Sequence, residues 1–145
     1  MELKWIPSMS VGEKTIDGQH KTLLDQINKL VQILSSLEEV NMASLRETIH
    51  FLYTYFNNHF SYEEAYMAKN KFPDFEKHKK VHKGFVRFYE DFQKELKEKI
   101  TSKDFSSIEI KELLTKVKKY LGDWLINHIK RMDQEYAKYI KTSSK

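Results

Sequence analysis

Four stretches of this chain repeat apolar residues every three or four positions, the spacing of one face of an α-helix. The stripes run Leu23/Leu24, Ile27, Leu30/Val31, Leu34; then Leu45, Ile49, Leu52, Phe56; then Phe75, Phe85, Tyr89, Phe92, Leu96; then Ile110, Leu114, Val117, Leu121, Trp124/Leu125, Met132, Tyr136. Short breaks such as "KNKFPDF" and "TSKDFSS" separate them. Such a helix buries its stripe only against other helices, and short connections make sequential neighbours antiparallel. The expected fold is therefore all-α, an antiparallel up-down-up-down four-helix bundle. Only 4 Gly and 2 Pro in 145 residues leave few breaks for an alternative built of many strands.

Local signals set the expected boundaries. Asp17 is the expected N-cap of the first helix, and the second begins after Asn41. The third starts near Pro73–Asp74, where proline suits a first turn, and Ser106 with Glu109 forms a capping-box pattern for the fourth. Residues 1–14 lack a period and are interrupted by Pro7 and Gly12, so they read as an N-terminal arm anchored by Trp5 and Ile6. The tail "KTSSK", residues 141–145, is expected to fray, and residues 1–145 to form one domain.

Composition narrows the chemistry. With no cysteine, disulfides and thiolate metal sites are excluded, and any metal site must use nitrogen and oxygen ligands. No apolar run is long enough to span a membrane, and "MELKWIPSMSVG" lacks the apolar core of a signal peptide, so a cytoplasmic protein without a membrane partner is expected. The net charge of +4 comes from 25 basic and 21 acidic residues that are interspersed. A nucleic-acid partner is not expected, because no basic face carries a reading element.

The stripes are interrupted by the wrong residues for a core. His20 precedes the first apolar run, His59 and Glu63 continue the second, His78 and His82 sit in the third, and His128 continues the fourth with Asp133 beside Met132. An unpaired polar group in a core costs about 1–3 kcal/mol. One such histidine bonded to a backbone carbonyl is ordinary; contributions from all four helices are not. His59/Glu63 and His78/His82 are spaced i, i+4, which puts their Cβ atoms about 5–6 Å apart on one face. The sets also alternate along their helices: start, end, start, end. An antiparallel bundle requires that order to bring them to one level.

Five histidines and two carboxylates converging at one end exceed the three or four ligands of one metal and fit two, with the carboxylates as bridges. Imidazole suits iron, copper, zinc and nickel, and imidazole mixed with carboxylate favours non-haem iron. His50 lies about half a turn out of phase with His59, so "ETIH", with Glu47, reads as a surface pair. His128 to Asp133 is i, i+5, about 140° apart on an ideal helix. Both reach one site if a π-bulge re-phases the helix or the carboxylate reaches sideways.

The segments "DGQHKTLLDQI", "HFSYEEAYM", "HKKVH" and "WLINHIKRMD" resemble hemerythrin, in particular its bacterial single-domain form. The likeness covers essentially the whole chain, including the arm with Trp5 and "SVG", and no ligand of the pattern H…HxxxE…HxxxH…HxxxxD is missing. The resemblance implies two non-haem iron ions bridged by two carboxylates, Glu63 and Asp133, and an oxo or hydroxo group. By position His78, His82 and His128 would hold one iron, and His20 and His59 the other, which keeps an open place for dioxygen. It implies reversible dioxygen binding for storage, transport or delivery, with dioxygen as partner, no protein recipient specified, and no enzyme turnover. Phe60, Trp124 and Ile129 are the candidate apolar walls of the oxygen pocket, with a purely structural core role as the competing reading. Gln19, Asn58, Asn127 and Glu64 are candidates to receive the outer N–H of the ligating imidazoles.

Rival functions use the same site: an oxygen or redox sensor, or a di-iron peroxidase, oxidase or nitric-oxide-handling centre. Neither an organic-substrate pocket nor an output domain is expected from these residues. Iron storage fits a basic chain poorly, and a structural zinc site is the remaining alternative.

Overall fold

The computed structural model describes residues 2–35, 42–101 and 106–143. Among these, helices α1 (Lys14–Ser35), α2 (Met42–Lys69) and α3 (Phe75–Thr101) are uninterrupted. The fourth rod comprises α4 (Ser107–Lys116), a π-helical segment Val117–Asp123, α5 (Trp124–His128), a second π segment Ile129–Asp133, and α6 (Gln134–Ser143). Val117, Trp124, Ile129 and Gln134 at the junctions all keep right-handed helical backbone, so the rod is continuous.

The rods alternate in direction. Glu64 meets His82 while Tyr53, earlier on α2, bonds Glu90, later on α3. Likewise His128 meets His78, Trp124 stacks on Phe85, Tyr120 packs on Phe88 and Lys116 pairs with Glu95, in descending against ascending order. Helix α1 packs against α2 and the fourth rod. The result is the expected antiparallel four-helix bundle. Its main core joins Leu23, Leu24, Ile27, Leu30 and Leu34 to Leu45, Leu52, Phe56, Phe85, Tyr89, Leu113, Val117, Leu121 and Leu125. A smaller apolar cluster of Val11, Ile16, Met67, Phe72 and Tyr136 closes the end beyond the histidines. No helix among the described residues is long and apolar enough to cross a membrane.

Several boundaries differ from those expected. Helix α1 starts at Lys14, because the Glu13 carboxylate accepts from the N–H groups of Thr15 and Ile16 at 3.2 and 2.9 Å. Asp17 instead accepts from the Ser10 hydroxyl and the Val11 N–H, tying down the arm. Gly12 makes the turn between them at φ 77°, a left-handed conformation suited to glycine. Ile6 is 44% exposed, so anchoring passes to the buried Met9 and Val11, with half-buried Trp5 lying under the Lys21 ammonium. Leu3 exchanges two hydrogen bonds with the Asn28 side chain and packs against Gly122, where a Cβ would come within 3.1 Å.

Met42 opens α2, and Asn41 lies outside the described residues. Pro73 precedes α3; the Asp74 carbonyl takes the first bond, from the His78 N–H. Ser106 caps α4 through the Glu109 N–H, but the Glu109 carboxylate faces the Ser106 hydroxyl, not its backbone. Leu113, not Leu114, is the buried residue of that turn. Helix α6 reaches Ser143, so residues 141–143 are helical; 144 and 145 lie outside the described residues.

Candidate metal centre

His20 lies near the start of α1, His59 and Glu63 toward the end of α2, and His78 and His82 in the first turns of α3. His128 and Asp133 bracket the second π segment. Alternating rods bring all seven to one level, where each is 5% exposed or less. The i, i+5 pair is reconciled by the π segment: i→i+5 bonding places residues five apart on one face. Asp133 Oδ1 thereby comes 3.1 Å from His128 Nε2. Met132, the residue on the apolar stripe, is displaced to a half-buried position.

The two carboxylates organise the cluster. Glu63 Oε1 stands 3.3 Å from His78 Nε2 and 3.0 Å from His82 Nε2, while its Oε2 stands 3.5 and 3.4 Å from the Nε2 atoms of His20 and His59. Asp133 Oδ1 is 3.1 Å from His78 Nε2, and its Oδ2 is 3.2 Å from His20 Nε2. Each carboxylate turns one oxygen toward a three-histidine group (His78, His82, His128) and the other toward a two-histidine group (His20, His59).

Protons alone serve this arrangement badly. His128 Nε2 lies 3.2 and 3.1 Å from the Nε2 atoms of His78 and His82, and each such contact needs one N–H and one lone pair. Both Asp133 oxygens, Glu63 Oε1, His20 Nε2 and His59 Nε2 are buried without an aligned hydrogen bond. Orphaned atoms of this kind are costly, and a cation within each group satisfies them together. The donor atoms of Glu63, His78, His82, His128 and Asp133 lie within 4.8 Å of one another, as do those of His20, His59 and Glu63. The residues therefore fit a buried metal site with two positions that share a carboxylate. A sulfur-free imidazole and carboxylate set suits first-row transition metals.

Electrostatics without metal point the same way. Burial opposes charge on His20 and His78, but the Asp133 and Glu63 carboxylates prevail and raise both to about 9. His82 is also raised, against burial, by Glu63 and Glu64. His59 is lowered to about 4, chiefly by burial, with Glu63 opposing. Burial pushes the Glu63 and Asp133 carboxyls up, and the surrounding imidazoles more than reverse it, so both stay ionised. Two buried negative charges are thus balanced by protonated imidazoles, a place a metal cation takes over.

Around this centre, His59 Nδ1 donates to Gln19 Oε1 at 2.6 Å, and His82 Nδ1 donates to Glu64 Oε2 at 2.8 Å. Both bonds fix the tautomer that turns Nε2 inward. Asn58 and Asn127 are exposed. His50 and Glu47 are exposed as well, away from the centre. Phe60 lies flat on His82, centroids 4.0 Å apart at 14°, and Trp124 on His128, 4.6 Å apart at 10°. Both therefore cover the three-histidine group, and Phe60 also meets His59 at 5.6 Å. Ile129 is fully buried in the adjoining core. Sequence reasoning took Tyr136 for core packing alone, yet its hydroxyl donates to Glu63 Oε2 at 2.9 Å. The available signal was its place three residues after Asp133, on the same helical face.

Residues 11–140 match the family model described as the hemerythrin HHE cation binding domain. A bacteriohemerythrin of Stenotrophomonas maltophilia is 28% identical over 139 residues, covering 96% of this chain and 82% of that protein. A bacteriohemerythrin of Methylococcus capsulatus is 31% identical, covering 83% of this chain and 82% of its own length. A hemerythrin-like protein of Naegleria gruberi is 30% identical, covering 91% and 88%.

Proposed function

The chain belongs to the hemerythrin family, and from that premise we propose that it binds dioxygen reversibly at a non-haem di-iron centre, for storage, transport or delivery, without substrate turnover. His78, His82 and His128 would hold one iron, His20 and His59 the other, and Glu63 and Asp133 would supply carboxylate oxygens to both. The observation that carries this reading is the division of each buried carboxylate, one oxygen toward each histidine group. Three imidazoles against two leave the second position with fewer protein donors, which suits a small exchangeable ligand. When bound, the iron pair supplies the electrons and the open coordination place that dioxygen binding needs.

The protein's own residues do the rest. Gln19 and Glu64 hold His59 and His82 with Nε2 facing inward. Tyr136 fixes the Glu63 carboxylate from the closed end of the bundle. Phe60 and Trp124 lie flat on His82 and His128 and, with the buried Ile129, keep bulk water from the three-histidine side of the centre, while Phe60 also reaches His59 of the other group. The name carried by the Stenotrophomonas and Methylococcus relatives, bacteriohemerythrin, agrees with this reading.

Metal analysis with optical spectra in air and under vacuum is the test. Two irons per chain, with visible bands that appear in air and reverse on degassing, are expected. Full zinc occupancy without iron would falsify the di-iron reading. Rapid oxidation with no oxygenated form would move the assignment to a sensor or an oxidase.

A further inference from the structure

The two metal positions differ beyond their histidine count. At the three-histidine group, His82 Nδ1 is backed by a carboxylate, Glu64 Oε2 at 2.8 Å. At the two-histidine group, His59 Nδ1 is backed by a neutral amide, Gln19 Oε1 at 2.6 Å. Each group also holds one imidazole whose Nδ1 has no hydrogen-bond partner, His78 in the first and His20 in the second, so the contrast lies between Glu64 and Gln19. A carboxylate behind an imidazole raises its basicity as a ligand more than an amide does. Tyr136 acts on the other side of the balance. Its hydroxyl donates to Glu63 Oε2, the oxygen that faces His20 and His59, and leaves Oε1, which faces His78 and His82, without a hydrogen bond. A hydrogen bond on a carboxylate oxygen draws off charge that the oxygen otherwise offers a cation.

We propose that Glu64 and Tyr136 bias the two positions in the same direction, so that the three-histidine position fills first and empties last. Glu64 strengthens one position through His82, and Tyr136 weakens the other through Glu63. Both are positioning residues acting through a ligand. The inference rests on the two-metal reading above. It makes the one-metal chain a defined species, with His78, His82 and His128 engaged and His20 and His59 vacant. The position proposed to bind oxygen is then also the one that controls assembly of the pair.

The test adds Fe(II) in substoichiometric steps to the metal-free protein without oxygen, and counts chains with zero, one and two ions by native mass spectrometry. Anomalous diffraction from a half-loaded crystal locates the ion, and chelator-driven release gives two rates. A one-ion species centred on His78, His82 and His128 is expected, with biphasic release. Glu64→Gln keeps a hydrogen bond but loses the charge, and should speed release of the slow ion about tenfold or more. Tyr136→Phe should slow release of the fast ion, an effect that loosened packing does not produce. Ions that arrive as a pair with no one-ion species, a single ion between His20 and His59, or unchanged slow release in Glu64→Gln would each overturn the inference while leaving the di-metal reading intact. Saturation at one ion per chain would sink that reading, and this inference with it.

Discussion

Asp133 follows His128 by five residues, yet its Oδ1 stands 3.1 Å from the His128 Nε2. A regular α-helix would turn the two about 140° apart. The π segment Ile129–Asp133 is what brings them together, and it falls where the two side chains are needed at one point. π-Bulges are rare and concentrate at functional sites; here the requirement is the phase of one carboxylate.

Removing one exposed residue from that segment tests its role. Deleting Lys130, which faces solvent, turns the i, i+5 pair into an i, i+4 pair on regular helix. Asp133 and Tyr136 then keep nearly the same phase relative to His128. Metal stoichiometry should be preserved and stability unchanged or slightly raised, as read by metal analysis and thermal unfolding. Loss of both ions on deletion would show that the π geometry itself, not just the phase, is needed.

Much of this was readable because two periodicities had to agree. The apolar stripes called for a bundle, and His20, His59, His78 and His128 fell at alternating ends of successive helices, as one site at one level demands. The i, i+5 spacing even marked the position of the second π segment. What stayed hidden depended on single side-chain choices. Asp17 has the chemistry of an N-cap, and only tertiary structure shows that Glu13 takes that place while Asp17 secures Ser10 and Val11. Tyr136 on an apolar stripe looks like packing until its hydroxyl is seen on Glu63. The first π segment, Val117–Asp123, has no polar pair to betray it, so nothing in the stripe announced it.

The core and the metal centre should separate by mutation. Phe56 is 1% exposed, with ring contacts to Phe60, Phe85 and Tyr89. Phe56→Ala should cost about 3–5 kcal/mol in urea unfolding of the metal-free chain. Metal stoichiometry of the folded fraction should stay at the wild-type value. A cost below about 1 kcal/mol would mean that the bundle collapses readily into the space.

Lys71 is the one described non-glycine residue with positive φ, at 55°. It ends α2 in a Schellman arrangement: its N–H bonds the Ala68 carbonyl, and the Phe72 N–H bonds that of Met67. The left-handed conformation costs a side-chain residue about 1–2 kcal/mol. Glycine gives back roughly 0.4–1 kcal/mol through its freer unfolded chain. Lys71→Gly should therefore raise stability by a few tenths to about 1 kcal/mol, seen as a small rise in Tm. A fall in Tm would mean that the Lys71 side chain contributes more than its backbone costs.

Metal removal exposes the charge balance of the centre, and its sign can be worked out group by group. In the metal-free chain His20 and His78 are raised from 6.5 to about 9. The folded state then holds protons that the unfolded state has released, so their contribution is full below 6.5 and fades as pH rises toward 9. His59 is lowered to about 4, and Glu63 and Asp133 lie below their ordinary values. Their contributions are present above the unfolded values and fade as pH falls, His59 between 6.5 and about 4. The metal-free protein should be most stable near pH 6–7 and weaken on both sides, as measured by urea unfolding in chelator. The same protons must leave when Nε2 takes a metal. Loading at pH 7 should release about two protons per chain or more, from His20 and His78 with a contribution from the also raised His82, read by calorimetry in buffers of different ionisation enthalpy. Loading without proton release would mean that the two buried carboxylates are balanced by something other than these imidazoles.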